Sequence, residues 1–271
     1  MPLVTIADLQ LPGVEEYLFR AQKLSKMYDQ FIEDDPGNAG KRAPGIHASE
    51  VSGCKRKMVY GLLAYEKRGQ ISKNWRQRFA VGHALHAMIQ QDFFDLAAKS
   101  GGLVKFECEE QVIISPTRQP MAKKWFINSS TDGVFTFYDE PGGPPVMRIG
   151  LEIKTEAMDG YDKLKAPKPE HLDQAHVYMA CLDVPAFWFL YINKNNQNNT
   201  SSDGPFLVTW DQRRWDALEK KFQECHDYAD KVVLPEKEES MLCQFCAFSY
   251  TCQPASLVRP QKQQRVWRPN Q

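Results

Sequence analysis

A long apolar segment constrains the fold of this chain more than any other feature. Residues 184–193, VPAFWFLYIN, are almost entirely apolar, and such a run is typical of a strand that is buried on both faces of a sheet. The polar residues that follow, NKNNQNNTSSDG at 193–204, predict an exposed loop. The apolar segment therefore predicts a strand that lies inside the protein.

Hydrophobic periodicity places further helices and strands around this segment. Ser49 is expected to cap a helix that runs to about residue 66. Helical spacing predicts helices over residues 14–33, 72–99, 170–182 and 211–233. Turn residues separate predicted strands over residues 104–114, 123–130, 132–138, 146–155 and 205–210. The chain thus combines helices with strands, and it contains no internal repeat.

Charge and composition exclude several functional classes. The 271 residues include 34 Lys and Arg against 34 Asp and Glu, so the formal net charge is zero. This balance excludes a protein that coats nucleic acid by neutralising phosphates over its whole surface, although an enzyme needs only a locally positive groove. No apolar run reaches the roughly 20 residues of a membrane span, and the first residues lack a signal-peptide pattern. We expect a soluble cytoplasmic protein.

Three cysteines close together predict a metal centre. Cys243, Cys246 and Cys252 form a C-x2-C-x5-C pattern, and thiolates at such spacing can chelate one centre from a tight turn. Cys54, in a polar and basic stretch, is the best fourth ligand. Disulfides are rare in a reducing compartment, but spacing alone does not separate zinc from an iron–sulfur cluster. The other cysteines are expected to be buried apolar residues: Cys108, Cys181 and Cys225.

The string LEIKT, residues 151–155, is the most informative local pattern. Glu152 and Lys154 are two residues apart on a predicted strand, so both side chains emerge from the same face. There a carboxylate can hold a divalent cation while an ammonium group orients a water or stabilises negative charge, as in phosphodiester hydrolysis. Taken alone, the pair has a simpler alternative, which is an exposed ion pair.

Two upstream positions can complete such a site. Asp132 stands at the start of a predicted strand, and a hairpin over residues 132–155 would bring its carboxylate near Glu152. The alternative for this Asp-Gly pair is an ordinary turn. Gly82 and His86 share a helix face, where the glycine would let another backbone or a nucleic-acid strand approach the histidine. Carboxylates on adjacent strands suit Mg²⁺ or Mn²⁺.

Polar pairs and basic runs supply further candidates. Gln174 and Tyr178 share a face of a predicted helix, so they could form a structural hydrogen bond or position a phosphate or base beside the metal. A basic run beside Cys54 is either a solvated helix face or a patch that contacts DNA, and it comprises Lys55, Arg56 and Lys57. The tail could contact DNA or a partner, or be disordered.

The order of these motifs is GxxxH, D-G, E-x-K and Q-x-x-x-Y, bracketed by Cys54 and the C-x2-C-x5-C segment. This order resembles the RecB-like branch of the PD-(D/E)XK nucleases over about residues 46–252. It is most similar to members that carry an iron–sulfur cluster, namely the CRISPR-adaptation nuclease family and the nuclease domain of AddB-type helicase–nucleases. Thr131 stands where the superfamily's name has proline.

The resemblance implies an α/β, restriction-endonuclease-like fold with a mixed central sheet flanked by helices and a metal cluster that joins the N- and C-terminal segments. It divides the chain into an N-terminal helix and loop (1–45), a nuclease domain (46–252) and a basic tail (253–271). It implies metal ligands His86, Asp132 and Glu152, catalytic roles for Asp132, Glu152, Lys154, Gln174 and Tyr178, and a [4Fe–4S] cluster on Cys54, Cys243, Cys246 and Cys252.

The function that the resemblance implies is a metal-dependent deoxyribonuclease. It would be an exonuclease on single-stranded DNA or DNA ends in recombination, repair or CRISPR adaptation, in a bacterial or phage-infected cell. Its implied partners are DNA and a helicase, a recombinase or a CRISPR integrase, since the chain has no Walker A string of its own. The alternative is a non-catalytic protein that uses the nuclease fold to bind DNA ends or to assemble a larger machine.

Overall fold

The computed structural model describes residues 20–27, 43–65, 73–198, 206–239, 243, 246–249 and 251–252. A five-stranded mixed sheet has the order β1-β4-β5-β6-β7, and β2 and β3 form a separate two-stranded sheet. The strands are β1 (Val104–Cys108), β2 (Ile113–Ile114), β3 (Ser129–Ser130), β4 (Gly133–Tyr138), β5 (Pro145–Glu156), β6 (Ala186–Asn193) and β7 (Phe206–Thr209).

Helices precede, interrupt and follow these strands. They are α1 (residues 20–27), α2 (Lys55–Leu62), α3 (Lys73–Lys99), α4 (Pro120–Trp125), α5 (Met158–Tyr161), α6 (Pro169–Leu182) and α7 (Gln212–Asp230). Within the described ranges, none of these helices has the length and apolarity to span a membrane. The remaining predicted helix residues at 14–19 and 28–33, and the tail, lie outside the described part.

The prediction that 184–193 forms a strand buried on both faces is confirmed by β6. This strand pairs in parallel with β5 and antiparallel with β7. Its alternate residues belong to two separate hydrophobic clusters: Phe187 and Phe189 pack on one side of the sheet, and Leu190 and Ile192 on the other. The strand is apolar along its length because both of its faces are covered.

The two clusters define the layers of the fold. On one face, aromatic residues of α3 pack against β1 and β4, as in the contacts of Phe93 with Phe106 and Phe135. On the other face, the larger cluster joins the sheet to α2, α4, α6 and α7. The active-site candidates of β5 therefore lie between the sheet and α6, or between the sheet and α3, according to which face they occupy.

Two predicted strands are wrong in part. The strand predicted at 104–114 is interrupted after Cys108 by a turn, in which the N–H groups of Gln111 and Val112 donate to the Cys108 carbonyl. The segment predicted as a strand at 123–130 is helical up to Trp125 and ends in the short β3. Pro120 opens this helix, and Phe126 ends it in the left-handed conformation with φ of 50°.

The predicted helix from Ser49 to about residue 66 is also wrong at its start. Ser49 lies inside a single 3-10 turn, Ala48–Glu50, and α2 begins only at Lys55. Cys54 occupies the N-cap position with extended backbone angles and makes no side-chain capping hydrogen bond. The thiol of Cys54 therefore takes no part in capping the helix.

Gly150 of β5 lies directly opposite Phe187 of β6, where the two strands leave no room for a side chain. A Cβ atom at Gly150 would come 2.2 Å from the ring of the fully buried Phe187, whereas a Cβ at Gly82 in α3 would meet nothing closer than 3.5 Å. We expect Gly150→Ala to lower the free energy of unfolding by about 1–3 kcal/mol through overpacking. Gly82→Ala should raise it by up to about 1 kcal/mol, because alanine favours helix. Urea denaturation measures both, and equal effects would contradict this packing.

Candidate active site

The two faces of β5 separate its apolar residues from its charged ones, as predicted. Leu151 and Ile153 belong to the cluster beneath α3. Glu152 and Lys154 project from the opposite face, where the Lys154 ammonium lies 2.6 Å from Oε1 of Glu152. Glu152 is only 3% exposed, so the pair is not the surface ion pair that the sequence left open.

The predicted hairpin is present and brings Asp132 to the same place. β4 and β5 pair antiparallel with Gly133 opposite Leu151. The Asp132 carboxylate accepts a hydrogen bond from the backbone N–H of Ile153 at 2.6 Å. Thr131, at the position of the superfamily's proline, is buried and donates its hydroxyl to the Leu151 carbonyl at 2.8 Å. These bonds fix the start of β4 against the middle of β5.

Helix α3 contributes His86, which lies beside the Asp132 carboxylate. Its Nδ1 lies 3.1 Å from Oδ1 of Asp132. Burial disfavours the charged imidazole, but the hydrogen bond and charge of Asp132, with the charge of Glu152, raise the pKa of His86 above its ordinary value. Gln90, one turn further along α3, donates to the backbone carbonyl of Asp132 at 2.7 Å. Sequence reasoning missed Gln90, although its spacing of four from His86 puts both on one helix face.

The surroundings of Glu152 shift the pKa of its carboxylate strongly. Burial raises its pKa to about 7, Lys154 opposes the rise and Asp132 adds to it. Within the described residues, its second oxygen, Oε2, is buried and has no hydrogen-bond partner. A buried carboxylate oxygen without a donor is costly unless a cation or an added donor satisfies it.

The donor set fits a hard divalent cation. Two carboxylates and an imidazole meet where β4, β5 and α3 converge, and the unsatisfied Oε2 of Glu152 is available to a ligand. In the ranges that the structure describes, no group of three or more His, Cys, Asp or Glu side chains already stands at metal-ligand geometry. Ligation by His86, Asp132 and Glu152 therefore requires their side chains to adjust.

Gln174 and Tyr178 share one face of α6, as predicted, and they form the structural hydrogen bond that the sequence left open as one of two alternatives. Oε1 of Gln174 accepts from the Lys154 ammonium at 2.9 Å, and its Nε2 donates to the Tyr178 hydroxyl at 2.8 Å. Both residues are buried, so in this arrangement they orient Lys154 instead of holding a phosphate or a base themselves. Burial also raises the pKa of Tyr178 well above its ordinary value.

His171 lies beside this chain of hydrogen bonds, and sequence reasoning missed it. It precedes Gln174 by three residues on α6, a spacing that could have revealed it. Its Nδ1 lies 2.7 Å from the hydroxyl of Tyr191 on β6. Burial, with the charges of Lys154 and Lys168, lowers the pKa of His171 to about 3. The imidazole is therefore neutral at ordinary pH.

The four predicted cluster cysteines line one cavity of about 520 Å³: Cys54, Cys243, Cys246 and Cys252. No disulfide is recorded for the cysteines of the described residues. Phe248 packs its ring 5.2 Å from that of Tyr60, which holds the C-terminal segment against α2. The four cysteines thus border a common space, but among the described residues they do not already form a group that could hold a metal ion. Of the cysteines predicted to be core residues, Cys181 and Cys225 are buried and Cys108 is half-buried.

The basic run at the start of α2 is largely committed to internal contacts. Lys55 forms an ion pair with Glu224 at 2.7 Å, and Lys57 forms one with Glu50 at 3.2 Å. Arg56 is only 8% exposed and donates from Nε to the Pro235 carbonyl at 2.8 Å, with its Nη1 3.9 Å from the Cys252 sulfur. Arg56 therefore faces the cysteine cavity, and a DNA contact stays a prediction for the two lysines.

The neutral state of His171 predicts a loss of stability in acid. The pKa of His171 is depressed when folded, so below about pH 6.5 the unfolded chain takes up a proton that the folded chain does not. Wild-type protein should therefore lose unfolding free energy relative to His171→Gln as the pH falls from 6.5 towards 3. Urea denaturation across this range measures the difference. The exposed His83 is the control, and the prediction fails if His83→Gln and His171→Gln behave alike.

Comparisons with known proteins give only distant structural similarity. No family model and no curated protein matches the chain. The crystal structure of SSO0001 matches with a TM-score of 0.43 and 14% identity, covering 87% of this chain and 98% of that one. An alkaline exonuclease from Laribacter hongkongensis, LHK-Exo, matches with a TM-score of 0.45 and 15% identity, covering 70% of this chain and 90% of that one. The complex of LHK-Exo with dAMP matches with a TM-score of 0.45 and 16% identity, covering 71% of this chain and 91% of that one. All three TM-scores lie below 0.5, so this similarity carries no functional argument.

Proposed function

We propose that this protein is a metal-dependent DNA nuclease that hydrolyses phosphodiester bonds. The observation that carries the proposal is the buried Glu152 carboxylate, which lies beside Asp132 and Lys154 and has one oxygen without a hydrogen-bond partner in the part of the chain that the structure describes. A protein rarely retains such a group without a functional use, and perturbed carboxylates beside a lysine are typical of hydrolytic sites.

His86, Asp132 and Glu152 are the proposed ligands of the cation. The chemistry that Mg²⁺ or Mn²⁺ supplies at these residues is positive charge, which polarises a scissile phosphodiester and lowers the pKa of an attacking water. Asp132 is oriented for this role by the Ile153 N–H, which leaves its other oxygen on the side of His86. The ordered carboxylates reduce the rearrangement needed to bind the ion.

Lys154 is the proposed catalytic lysine. Its ammonium has three N–H donors; one contacts Glu152 and a second contacts Gln174. The third can orient the attacking water or stabilise the charge that develops on the phosphate. Gln174 fixes the position of the ammonium, and Tyr178 fixes the orientation of the Gln174 amide, so we propose that both are positioning residues.

The substrate class follows from the motif order that resembles the RecB-like nucleases. We propose single-stranded DNA or duplex ends as substrate and exonucleolytic cleavage as the reaction, in recombination, repair or CRISPR adaptation in the cytoplasm. A helicase, a recombinase or a CRISPR integrase would be the partner. The zero net charge is consistent with a protein that binds DNA locally at a metal site and not over its whole surface.

Catalysis is tested with end-labelled oligonucleotides and Mn²⁺. Wild-type protein should degrade the DNA, and Asp132→Ala or Lys154→Ala should lower kcat by about 10²-fold or more, because each change removes a group that acts on the transition state. Lys105→Ala is the matched control, because this exposed lysine of β1 pairs with Glu107 away from the site. It should retain wild-type activity.

The same assay separates the non-catalytic alternative from the nuclease. Wild-type protein that binds DNA ends but leaves them uncut in Mn²⁺ and in Mg²⁺ would overturn the nuclease assignment. DNA binding that is unchanged by Asp132→Ala, together with lost cleavage, would instead agree with a catalytic role for Asp132.

We further propose that the cysteine cavity holds a [4Fe–4S] cluster on Cys54, Cys243, Cys246 and Cys252, with zinc as the alternative. Support comes from the shared cavity and from the C-x2-C-x5-C spacing. Arg56 places its Nη1 3.9 Å from the Cys252 sulfur, so a positive charge stands at the edge of this cavity. Such a centre would join α2 to the C-terminal segment.

Metal analysis of anaerobically purified protein tests this assignment. Wild-type protein should be brown with about four iron atoms per chain if the centre is a [4Fe–4S] cluster, and colourless with zinc in the alternative. Cys246→Ser should lose the metal and lower the thermal stability, whereas Cys108→Ser, outside the cavity, should retain it. Equal metal content in the two variants would exclude the site.

A further inference from the structure

The main chain of Asp132 has a hydrogen-bond partner that does not come from the sheet. Asp132 directly precedes Gly133, the first residue of β4, so it lies outside the regular pairing of β4 with β5. Asp132 is only 9% exposed, and a buried carbonyl outside a strand ladder needs a donor from elsewhere. Gln90 of α3 supplies that donor, because its Nε2 lies 2.7 Å from the Asp132 carbonyl oxygen.

One face of α3 contacts Asp132 at two separate points. Gln90 follows His86 by four residues, so the two side chains lie one turn apart on the same face of the helix. His86 places its Nδ1 3.1 Å from Oδ1 of the Asp132 carboxylate, while Gln90 donates to the carbonyl of the same residue. The helix therefore fixes both the side chain and the peptide group of Asp132.

Apolar packing holds this part of α3 in place. Ile89, the residue before Gln90, and Phe93, one turn beyond it, both pack against the smaller hydrophobic cluster of the sheet. The ring of Phe93 lies 5.0 Å from that of Phe135, which belongs to the same strand β4 that Asp132 precedes. The core therefore sets the distance between Gln90 and Asp132.

The proposed cation ligands have to move before they can bind an ion, and the fixed peptide group limits that movement. Among the described residues, His86, Asp132 and Glu152 do not already stand at metal-ligand geometry. The Ile153 N–H holds Oδ2 of Asp132 at 2.6 Å, and Gln90 holds its carbonyl. The adjustment at Asp132 is thereby confined to side-chain rotation, and a preorganised ligand binds a cation more tightly than a mobile one.

We propose that Gln90 is a positioning residue, which sets the affinity of the site for its divalent cation by holding the main chain of Asp132. This inference rests on the proposed nuclease function and deepens it. Gln90 acts through Asp132 and not on the substrate. Its loss therefore weakens cation binding more than it slows cleavage at saturating cation, in the way that the hydrogen-bond partners of metal ligands generally do.

Calorimetric titration of the full-length protein with Mn²⁺, in the absence of DNA, tests the proposal. Gln90→Met keeps the length of the side chain and favours helix, but it has no donor for the carbonyl. The Kd for Mn²⁺ should rise by about tenfold in this variant. Gln91→Met is the matched control, since Gln91 is the exposed neighbour on the same helix and contacts Asp95 instead. It should keep the wild-type Kd.

Cleavage kinetics and thermal melts distinguish positioning from a purely structural role. With a single-stranded oligonucleotide, the Mn²⁺ concentration for half-maximal rate should rise in Gln90→Met by the same factor as the Kd. The kcat at saturating Mn²⁺ should stay within about threefold of wild type. Mn²⁺ at a fixed concentration should raise the Tm of Gln90→Met less than that of wild type, because weaker binding stabilises the folded state less. A purely structural role would lower the Tm equally with Mn²⁺ and with EDTA.

The outcomes separate this proposal from the nuclease assignment. A wild-type Kd for Mn²⁺ in Gln90→Met, or a loss confined to kcat, would overturn the role of Gln90 while leaving the nuclease intact. Wild-type protein that neither binds Mn²⁺ nor cuts the oligonucleotide would overturn the nuclease function and this inference together. If Gln90→Met unfolds in the thermal melt, Gln90→Asn, whose amide is one methylene too short to reach the carbonyl, decides the question on the same criteria.

Discussion

The alternation of residues along β5 is the constraint on which the site depends. Leu151 and Ile153 are fully buried beneath α3, and a shift of the strand by one residue would carry them to the other face. The packing of these two side chains therefore dictates that Glu152 and Lys154 point towards α6. The antiparallel pairing with β4 then places Asp132 beside Glu152. The core thus sets the geometry of the charged residues.

Burial of Glu152 raises the pKa of its carboxylate and so sets the chemistry of the site. Removing a carboxylate from water is costly, and the charge of Lys154 offsets only part of that cost. The other polar groups around it are connected: Asp132 to Ile153 and His86, Lys154 to Gln174, and Gln174 to Tyr178. Among the described residues, one oxygen of Glu152 has no hydrogen-bond partner, so this network is only partly satisfied, which is unfavourable in an apolar interior.

The N-terminal turn of α6 lies between the two proposed centres. His171 contacts the Tyr191 hydroxyl of β6, while the neighbouring Glu170 lines the cysteine cavity. The cavity is closed on its other side by α2, where Arg56 and Tyr60 contact the C-terminal segment around Cys252. Helix α2 and residues 235–252 therefore meet next to the helix that positions Lys154.

Local sequence patterns were enough to predict the buried strand β6, the long helix α3, the same-face pairs Glu152–Lys154 and Gln174–Tyr178, and the hairpin that brings Asp132 to Glu152. These features depend on local periodicity and turn chemistry. The local pattern gave wrong predictions at Ser49 and over residues 123–130. There the tertiary packing of residues such as Trp125 determines the structure more than the local pattern does. The folded chain is needed to show that Arg56 turns inward and that Gln90 and His171 lie beside the site. It is also needed to show that one oxygen of Glu152 has no hydrogen-bond partner among the described residues. Those facts depend on distances between elements that are far apart in the chain, which periodicity does not encode.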